Sequence, residues 1–210
     1  MNTPANAIAG SKPAALIRVA GLGCSYPGVA LLHDLSFDIA AGLTLVRGGD
    51  GRGKSTLLRL LAGEQRPDAG TVEQLAATLF WDSPARPEED ALTGLQWLQA
   101  RRGHFAAWDA QAQDALIEGF GLAEHIAKPL YMLSTGSRRK VWLVAASACQ
   151  AQVTLLDMPY AALDGPSARL LSEVLTDAAG NPDRAWVVAD YGLPASLAGL
   201  ALSATIDLGD

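Results

Sequence analysis

Apolar positions along the chain form short runs, separated by stretches in which they recur every three or four residues. Apolar runs of roughly four to eight residues predict buried strands, and the wider spacing predicts helices. Because the later runs are separated by helices, they indicate a largely parallel sheet covered on both faces. The predicted strands are 16–23, 43–47, 70–74, 77–81, 153–156, 185–189 and 204–208, and the predicted helices are 55–62, 137–150 and one beginning near Pro166.

The middle of the chain has a different pattern. From Ala91 to about Gly121 the leucines and aromatic residues recur at helical spacing, with interruptions at Gly94 and Gly103, which predicts two or three helices. We interpret the region from about 83 to 135 as a small helical lobe inserted in a single domain that covers 1–210. Residues 1–13 are predicted to be a loose leader.

Composition narrows the possible functions. With 210 residues, half of them apolar, the chain is long enough for one well-buried core. A net charge of −6 argues against nucleic acid as a partner, because broad phosphate neutralisation needs a basic surface. Cys24 and Cys149 lack the spacing of a disulfide framework, and no secretory signal is recognisable, so a cytoplasmic location is expected. Any contact with a membrane would then go through a partner.

A glycine-rich segment between a predicted strand and a predicted helix carries the clearest chemistry. The run Gly48-Gly-Asp-Gly-Arg-Gly-Lys-Ser55 matches the phosphate-loop pattern G-x-x-x-x-G-K-[ST] at every position. Glycines let backbone N–H groups turn toward a phosphate, the lysine reaches the β- and γ-phosphates, and the serine hydroxyl ligates Mg²⁺. A phosphate loop alone leaves kinases, GTPases and ATPases open.

Four further segments distinguish between these classes. They are Leu32–Val46, Leu133-Ser-Thr-Gly-Ser137 with the helix after it, Val153-Thr-Leu-Leu-Asp157, and Ala161-Ala-Leu-Asp164. In that order they resemble the opening, signature, Walker B and D-loop segments of the ABC ATPases, from Leu16 to the end of the chain. The compact length is similar to that of small exporter cassettes, including the haem-exporter type.

The resemblance implies an α/β fold: a P-loop NTPase domain of the ABC type with a mostly parallel sheet, an N-terminal antiparallel β region and a helical lobe. It implies ATP and Mg²⁺ as cofactors, and a transmembrane permease and a second ABC subunit as partners. It also implies that this chain lies on the cytoplasmic face of the membrane. The implied nucleotide-binding residues are Tyr26, Gly48, Gly49, Asp50, Gly51, Arg52, Gly53, Lys54, Ser55 and Thr56. The implied signature residues, acting on the other subunit's nucleotide, are Leu133, Ser134, Thr135, Gly136 and Ser137, with Asp164 in the D-loop. The implied catalytic and metal-binding residues are Lys54, Asp157, Ser55 and Asp82.

Three positions depart from the family pattern. Met158 stands where the family has the glutamate that polarises the attacking water, and a thioether cannot accept a proton. The histidine expected after the next strand is missing, since only Ala189 or Asp190 occupies that place, and Asp82 is the nearest match to the Q-loop glutamine. We therefore predict firm binding of Mg-ATP and slow hydrolysis, with Asp190 as the candidate replacement base.

Several alternatives remain open at this stage. The chain could pair with a competent ABC subunit or with a second copy of itself. It could also be an ATP-sensing regulatory or scaffold protein without transport, a reading supported by the missing glutamate. A P-loop small-molecule kinase is a weaker alternative, because it has no use for the signature serine. Trp97, Phe105 and Trp108 are candidates either for the core of the lobe or for a groove that receives the permease.

Overall fold

The structure is a computed structural model that describes residues 14–26, 29–82 and 87–209. The predicted leader, the centre of the predicted turn at 26–28 and part of the loop that follows Asp82 lie outside these ranges. The strands are β1 (Ala15–Tyr26), β2 (Val29–Ala40), β3 (Gly42–Arg47), β4 (Ala69–Gln74), β5 (Leu79–Phe80), β6 (Val153–Asp157), β7 (Ala185–Asp190) and β8 (Ala204–Asp207). The helices are α1 (Lys54–Ala62), α2 (Gly94–Arg102), α3 (Ala110–Gly119), α4 (Thr135–Ala148) and α5 (Gly165–Ala179).

The strands form two sheets. One is antiparallel with the order β2-β1-β4, and the other is parallel with the order β5-β6-β7-β3-β8. This confirms the predicted mostly parallel sheet and the N-terminal antiparallel region. Strand β2 was absent from the predicted elements because polar residues interrupt its apolar positions. Its alternation of Leu35, Phe37 and Ile39 with polar residues is the period of a strand with one buried face.

The parallel sheet separates two apolar cores, and alternate residues of its strands point to opposite sides. In β7, Trp186 and Val188 belong to the core on the side of α2 to α5. Ala185, Val187 and Ala189 belong to the core shared with α1 and β1. Burial on both faces is what the uninterrupted apolar sequence of this strand predicted.

The middle helices begin at side-chain caps and pack on α4. Thr93 and Gln96 form a reciprocal capping box at the start of α2, and Asp109 caps α3. Trp97 is 3% exposed and lies in the core, where Phe105 and Trp108 pack partly buried against it. The core interpretation of Trp97 is therefore correct.

Helix α4 starts two residues earlier than predicted. The hydroxyl of Ser134 accepts a hydrogen bond from the backbone N–H of Ser137 at 3.0 Å, which makes Ser134 the N-cap and Thr135 the first helical residue. None of the helices in the described ranges has the length and apolarity required to span a bilayer.

Gly70 is expected to be essential for the packing of β4 on β1. It has a φ of +75°, and a Cβ there would overlap the carbonyl groups of Ala20 and Gly21. Gly70→Ala should lower the free energy of unfolding by about 2–4 kcal/mol, from backbone strain together with the forced shift of a neighbouring strand. Urea unfolding measures this difference.

Gly103→Ala is the matched control. Gly103 has no positive φ, and the nearest atom to its added Cβ would be the carbonyl oxygen of Ala100 at an ordinary 3.5 Å. Equal stability losses in the two variants would contradict the packing argument.

Candidate functional site

The site is built at one edge of the parallel sheet, where three strands end together. Arg47 at the end of β3 pairs with Asp190 of β7, and Ala189 pairs with Asp157 of β6. Since parallel strands present their carboxyl ends at the same edge, the loop after β3 faces the region that receives Asp157 and Asp190. Switch points of this kind are the usual ligand-binding places in open α/β sheets.

The glycine-rich loop turns directly into α1. Gly51 and Gly53 have φ values of 72° and 95°, in the left-handed region that favours glycine. A side chain at Gly53 would also meet Leu31 and Leu32, at 2.9 and 3.0 Å from the added Cβ. No side chain caps the start of α1, so its first N–H groups point at the cavity with the positive end of the helix dipole.

The loop surrounds a cavity of roughly 530 Å³. Ser55 and Thr56, at the start of α1, lie on its wall with the loop residues, and Met158 and Tyr191 lie there as well. The full lining among the described residues is Leu31, Gly49, Asp50, Gly51, Arg52, Gly53, Lys54, Ser55, Thr56, Met158 and Tyr191. The structure thus brings nearly all of the predicted phosphate-loop residues together around one space.

Lys54 is held firmly inside this loop. Its Nζ donates to the carbonyl oxygens of Gly48 at 2.6 Å and Gly49 at 2.8 Å, and the residue is only 8% exposed. The ammonium also lies 4.5 Å from the centre of the Tyr191 ring. These contacts keep the positive charge at the cavity wall, where a phosphate would need it.

Tyr191 is a site residue that the sequence reasoning missed. Its hydroxyl donates to Oδ1 of Asp50 at 2.5 Å, and this bond is the main reason that the pKa of Tyr191 is raised. The available signal was its position, because Tyr191 directly follows a buried strand that ends at the phosphate-loop edge. The sequence prediction names Ala189 and Asp190 at the position of the missing histidine but does not include Tyr191.

Asp157 has the features of a group that would hold a metal through water. Its Oδ1 is buried and has no hydrogen-bond partner among the described residues, which is costly unless a cation or water satisfies it. Ser55 lines the cavity, and Asp157 ends β6 at the same sheet edge without being one of the described lining residues. One hydroxyl and one carboxylate fit the sparse protein ligand set that Mg²⁺ uses beside phosphates. The residues present therefore fit Mg-ATP.

Asp190 is also buried at this edge, with 7% exposure. Burial raises its pKa, and the charge of Asp157 adds to the increase, whereas the N–H of Tyr191 and the positive charge of Lys54 oppose it. A raised pKa is what a carboxyl group needs to take up a proton near neutral pH. Asp190 does not line the cavity among the described residues, and its role as a base stays a prediction.

Arg139 connects α4 to the end of β6 and is a second residue that sequence reasoning did not single out. Its guanidinium donates to the carbonyl oxygen of Asp157 at 3.3 Å and to that of Met158. Burial lowers the pKa of Arg139, and the carboxylates of Asp157 and Asp190 oppose that change. The cation thereby helps to balance the two acids at the strand ends.

Asp82 lies elsewhere. Its Oδ2 accepts a hydrogen bond from Nε of Arg101 at 2.6 Å, and Arg101 also pairs with Glu89 at 2.7 Å. Asp82 lines a separate cavity with Phe80 and His104, and it is not among the described residues that line the phosphate-loop cavity. The structure does not bring it to the other predicted metal ligands, so its part in binding magnesium remains only a prediction.

The signature and D-loop segments touch each other within the chain. An added Cβ at Gly136 would lie 2.5 Å from the carbonyl oxygen of Ala162, so only glycine fits there. Lys140 of α4 donates to Oδ2 of Asp164 at 2.7 Å, and Asp164 caps α5 by accepting the N–H of Ser167. Ser134 and Thr135 remain exposed at the start of α4.

One predicted contact cannot be located. The backbone of Tyr26 ends β1, but its side chain lies outside the described part of the chain, so its predicted stacking on the adenine ring stays a prediction.

The parallel sheet, the glycine loop and the lysine at the start of α1 define a P-loop nucleotide-binding domain. The family model for ABC transporters matches residues 32–161 of this chain. The taurine import ATP-binding protein TauB of Pseudomonas aeruginosa is 35% identical over 161 residues, which cover 70% of this chain and 60% of TauB. The cytochrome c biogenesis ATP-binding export protein CcmA of Pseudomonas putida is 36% identical over 163 residues, which cover 70% of this chain and 76% of CcmA.

Solved structures give the same result. An ATP-binding ABC-transporter protein from Pyrococcus furiosus superposes with a TM-score of 0.72 at 17% identity, covering 91% of this chain and 96% of that protein. A metal-chelate type ABC transporter in an inward-facing conformation superposes with a TM-score of 0.67 at 25% identity, covering 90% of this chain and 78% of that one. The chain belongs to the ABC transporter family, where the relatives it matches in sequence are ATP-binding proteins. The resemblance noted in the sequence is confirmed.

Asp164 allows a test of the contact between α4 and the D-loop. The hydrogen bond from Lys140, followed by those from Ser167, lowers the pKa of this carboxyl group. A lowered folded-state pKa adds stability above the unfolded value of about 4, and that stability is lost as pH falls through the folded value. Asp164→Asn keeps the cap and loses the ion pair, so it should cost less than about 1 kcal/mol at pH 7 and nothing in strong acid, because the carboxylate is exposed.

Asp164→Ala loses the cap as well and should cost about 1 kcal/mol more at every pH. Urea unfolding across the range from neutral to strongly acidic pH measures both differences. A cost of Asp164→Asn that did not change with pH would contradict the assigned ion pair.

Proposed function

We propose that this chain is the ATP-binding subunit of a membrane transporter and binds Mg-ATP in the cavity formed by its phosphate loop. The observation that carries the proposal is the convergence of the Lys54 ammonium and the uncapped start of α1 on that one cavity. Lys54 and the N–H groups of the loop would donate to the phosphate oxygens. Adenine contacts would come from the N-terminal antiparallel region, from which Leu31 of β2 lines the cavity.

Other residues near the phosphate loop would bind the metal and support the turn after β6. Ser55 and Asp157 would hold Mg²⁺, which would neutralise part of the phosphate charge when bound. Arg139 keeps the turn at Asp157 and Met158 in place through its two carbonyl contacts. The cavity wall supplies Lys54 and Ser55, Asp157 would act from the adjacent end of β6, and no lining residue is assigned to accept a proton from water.

Hydrolysis by the chain itself should be slow because Met158 is the cavity residue next to Asp157. Loss of a general base typically costs about 10²–10⁴ in rate. Asp190 is the proposed substitute, because it ends β7 at the same sheet edge as Asp157 and because burial raises its pKa. Asp50 is a carboxylate on the cavity wall, but its oxygen already accepts the Tyr191 hydroxyl.

The exposed start of α4 is the proposed contact with a second ABC subunit. Ser134 and Thr135 present a hydroxyl group and the positive end of a helix, which suit the γ-phosphate held by the other subunit. The second subunit is either another copy or a competent relative whose glutamate acts on a site completed by this chain. A transmembrane permease, which this chain would contact from the cytoplasmic face of the membrane, completes the proposed assembly.

A second candidate function is ATP-dependent regulation or scaffolding without transport, which Met158 favours. Co-purification with a membrane complex supports the transporter subunit, and an ATP-dependent dimer recovered without membrane protein supports the regulator. The relatives TauB and CcmA are named for import and for export respectively, so they do not assign a direction of transport.

Binding is tested by calorimetry on the purified chain. The wild-type chain should take up Mg-ATP at one site, and Lys54→Ala should weaken the affinity by roughly 10–100-fold, the worth of hydrogen bonds to charged groups. Lys128→Ala is the charge-matched control, because Lys128 is exposed and its ammonium contacts only His125 among the described side-chain hydrogen bonds. Uptake that is absent in wild type, or unchanged in Lys54→Ala, would refute ATP binding at this loop.

Turnover is tested by phosphate release. Wild type should hydrolyse ATP slowly, and Met158→Glu should raise kcat by about 10²–10⁴, because it restores a carboxylate beside Asp157. Met158→Gln controls for size without basicity. Asp190→Ala should remove the residual rate. An ordinary ABC rate in wild type that survives Asp190→Ala would show that the site is not degenerate.

A further inference from the structure

We propose that Tyr191 is a positioning residue of the phosphate loop, whose contacts with Lys54 and Asp50 compete with a bound phosphate and so lower the affinity for nucleotide. This inference rests on the proposed binding of ATP in the same cavity. Tyr191 lies outside the predicted phosphate loop and directly follows β7.

The first argument is the number of donors on Lys54. An ammonium group has three N–H bonds, and two of them are used by the carbonyl oxygens of Gly48 and Gly49. The Tyr191 ring, 4.5 Å from Nζ, covers the remaining side. The carbonyl contacts lie within the loop, whereas the ring comes from outside it and lines the same cavity. A phosphate that binds Lys54 would therefore compete with the ring for the ammonium group.

The second argument is the charge of Asp50. A carboxylate in a loop that receives phosphates repels them, and its position matters for their affinity. The Tyr191 hydroxyl holds this carboxylate at the cavity wall through the 2.5 Å bond. One side chain therefore contacts both the cation that attracts a phosphate and the anion that repels it.

The third argument is that Tyr191 is exposed and lies outside both apolar cores. It is 56% exposed, unlike the buried residues of β7 before it. Gly192 follows, and an added Cβ there would meet no atom within 4 Å. Displacing the ring would therefore break its contacts with Lys54 and Asp50 without opening either core.

Calorimetric titrations with Mg-ATP and Mg-ADP test the proposal on the full chain. Tyr191→Ala should bind both nucleotides about tenfold more tightly, a gain of ~1.4 kcal/mol, because the phosphate no longer displaces the ring or the hydroxyl. Tyr191→Phe keeps the ring and loses the bond to Asp50, so its affinity should rise by roughly threefold. In a Lys54→Ala background the gain from Tyr191→Ala should shrink.

Tyr131→Ala is the matched control, because Tyr131 is 62% exposed and lies outside the phosphate loop. Urea unfolding supplies a second readout: Tyr191→Ala should be no more stable than wild type although it binds nucleotide more tightly. If Tyr191 had only a structural role, Tyr191→Ala would lower both the free energy of unfolding and the affinity for nucleotide.

An affinity of Tyr191→Ala that is unchanged or weaker than that of wild type would refute the proposed competition between Tyr191 and phosphate. A weaker affinity would in addition identify Tyr191 as a direct nucleotide contact. If wild type binds ATP through Lys54 and Tyr191→Ala binds no more tightly, only this inference fails. If neither chain binds any nucleotide while both remain folded, the proposed function fails and the inference fails with it.

Discussion

The parallel pairing of β3, β7 and β6 is the constraint on which the rest of the structure depends. It brings the phosphate loop, Asp190 and Asp157 to one edge although they are distant in sequence. The pairing is stabilised from both sides, because alternate residues of these strands enter two different apolar cores. A slip of one residue would exchange the two faces of each strand and move both acids away from the loop.

The same edge of the parallel sheet brings together charged groups whose burial would be costly if each lay apart from the others. Burial raises the pKa of Asp190 and lowers that of Arg139, since each loses contact with water. The carboxylates of Asp157 and Asp190 oppose the change at Arg139, and Lys54 opposes the one at Asp190. Groups that would hold a nucleotide are thus supported by charged neighbours, whereas Met158 lines the same cavity with a thioether that cannot accept a proton.

Much of this organisation could be predicted from the sequence, for reasons that differ between segments. The phosphate loop is local: its glycines, lysine and serine lie within a few residues, so spacing alone located them. Strands buried on both faces, such as β7, are continuous apolar runs, but β2 has one polar face and was missed. Tyr191 and Arg139 could not be assigned because their partners, Asp50 and the carbonyl groups of Asp157 and Met158, are remote in sequence and become neighbours only on folding. The ion pair of Asp82 with Arg101 was likewise not predictable, because the place of Asp82 in the order of motifs carries no information about it.

Helix α4 is joined to the segment after β6 at three points. Arg139 bonds the carbonyl groups of Asp157 and Met158, Gly136 lies against Ala162, and Lys140 pairs with Asp164. Neither part can slide along the other without breaking hydrogen bonds or driving backbone into backbone. The helix and this segment are therefore joined so closely that a displacement of the exposed start of α4 would also shift Met158, which lines the phosphate-loop cavity.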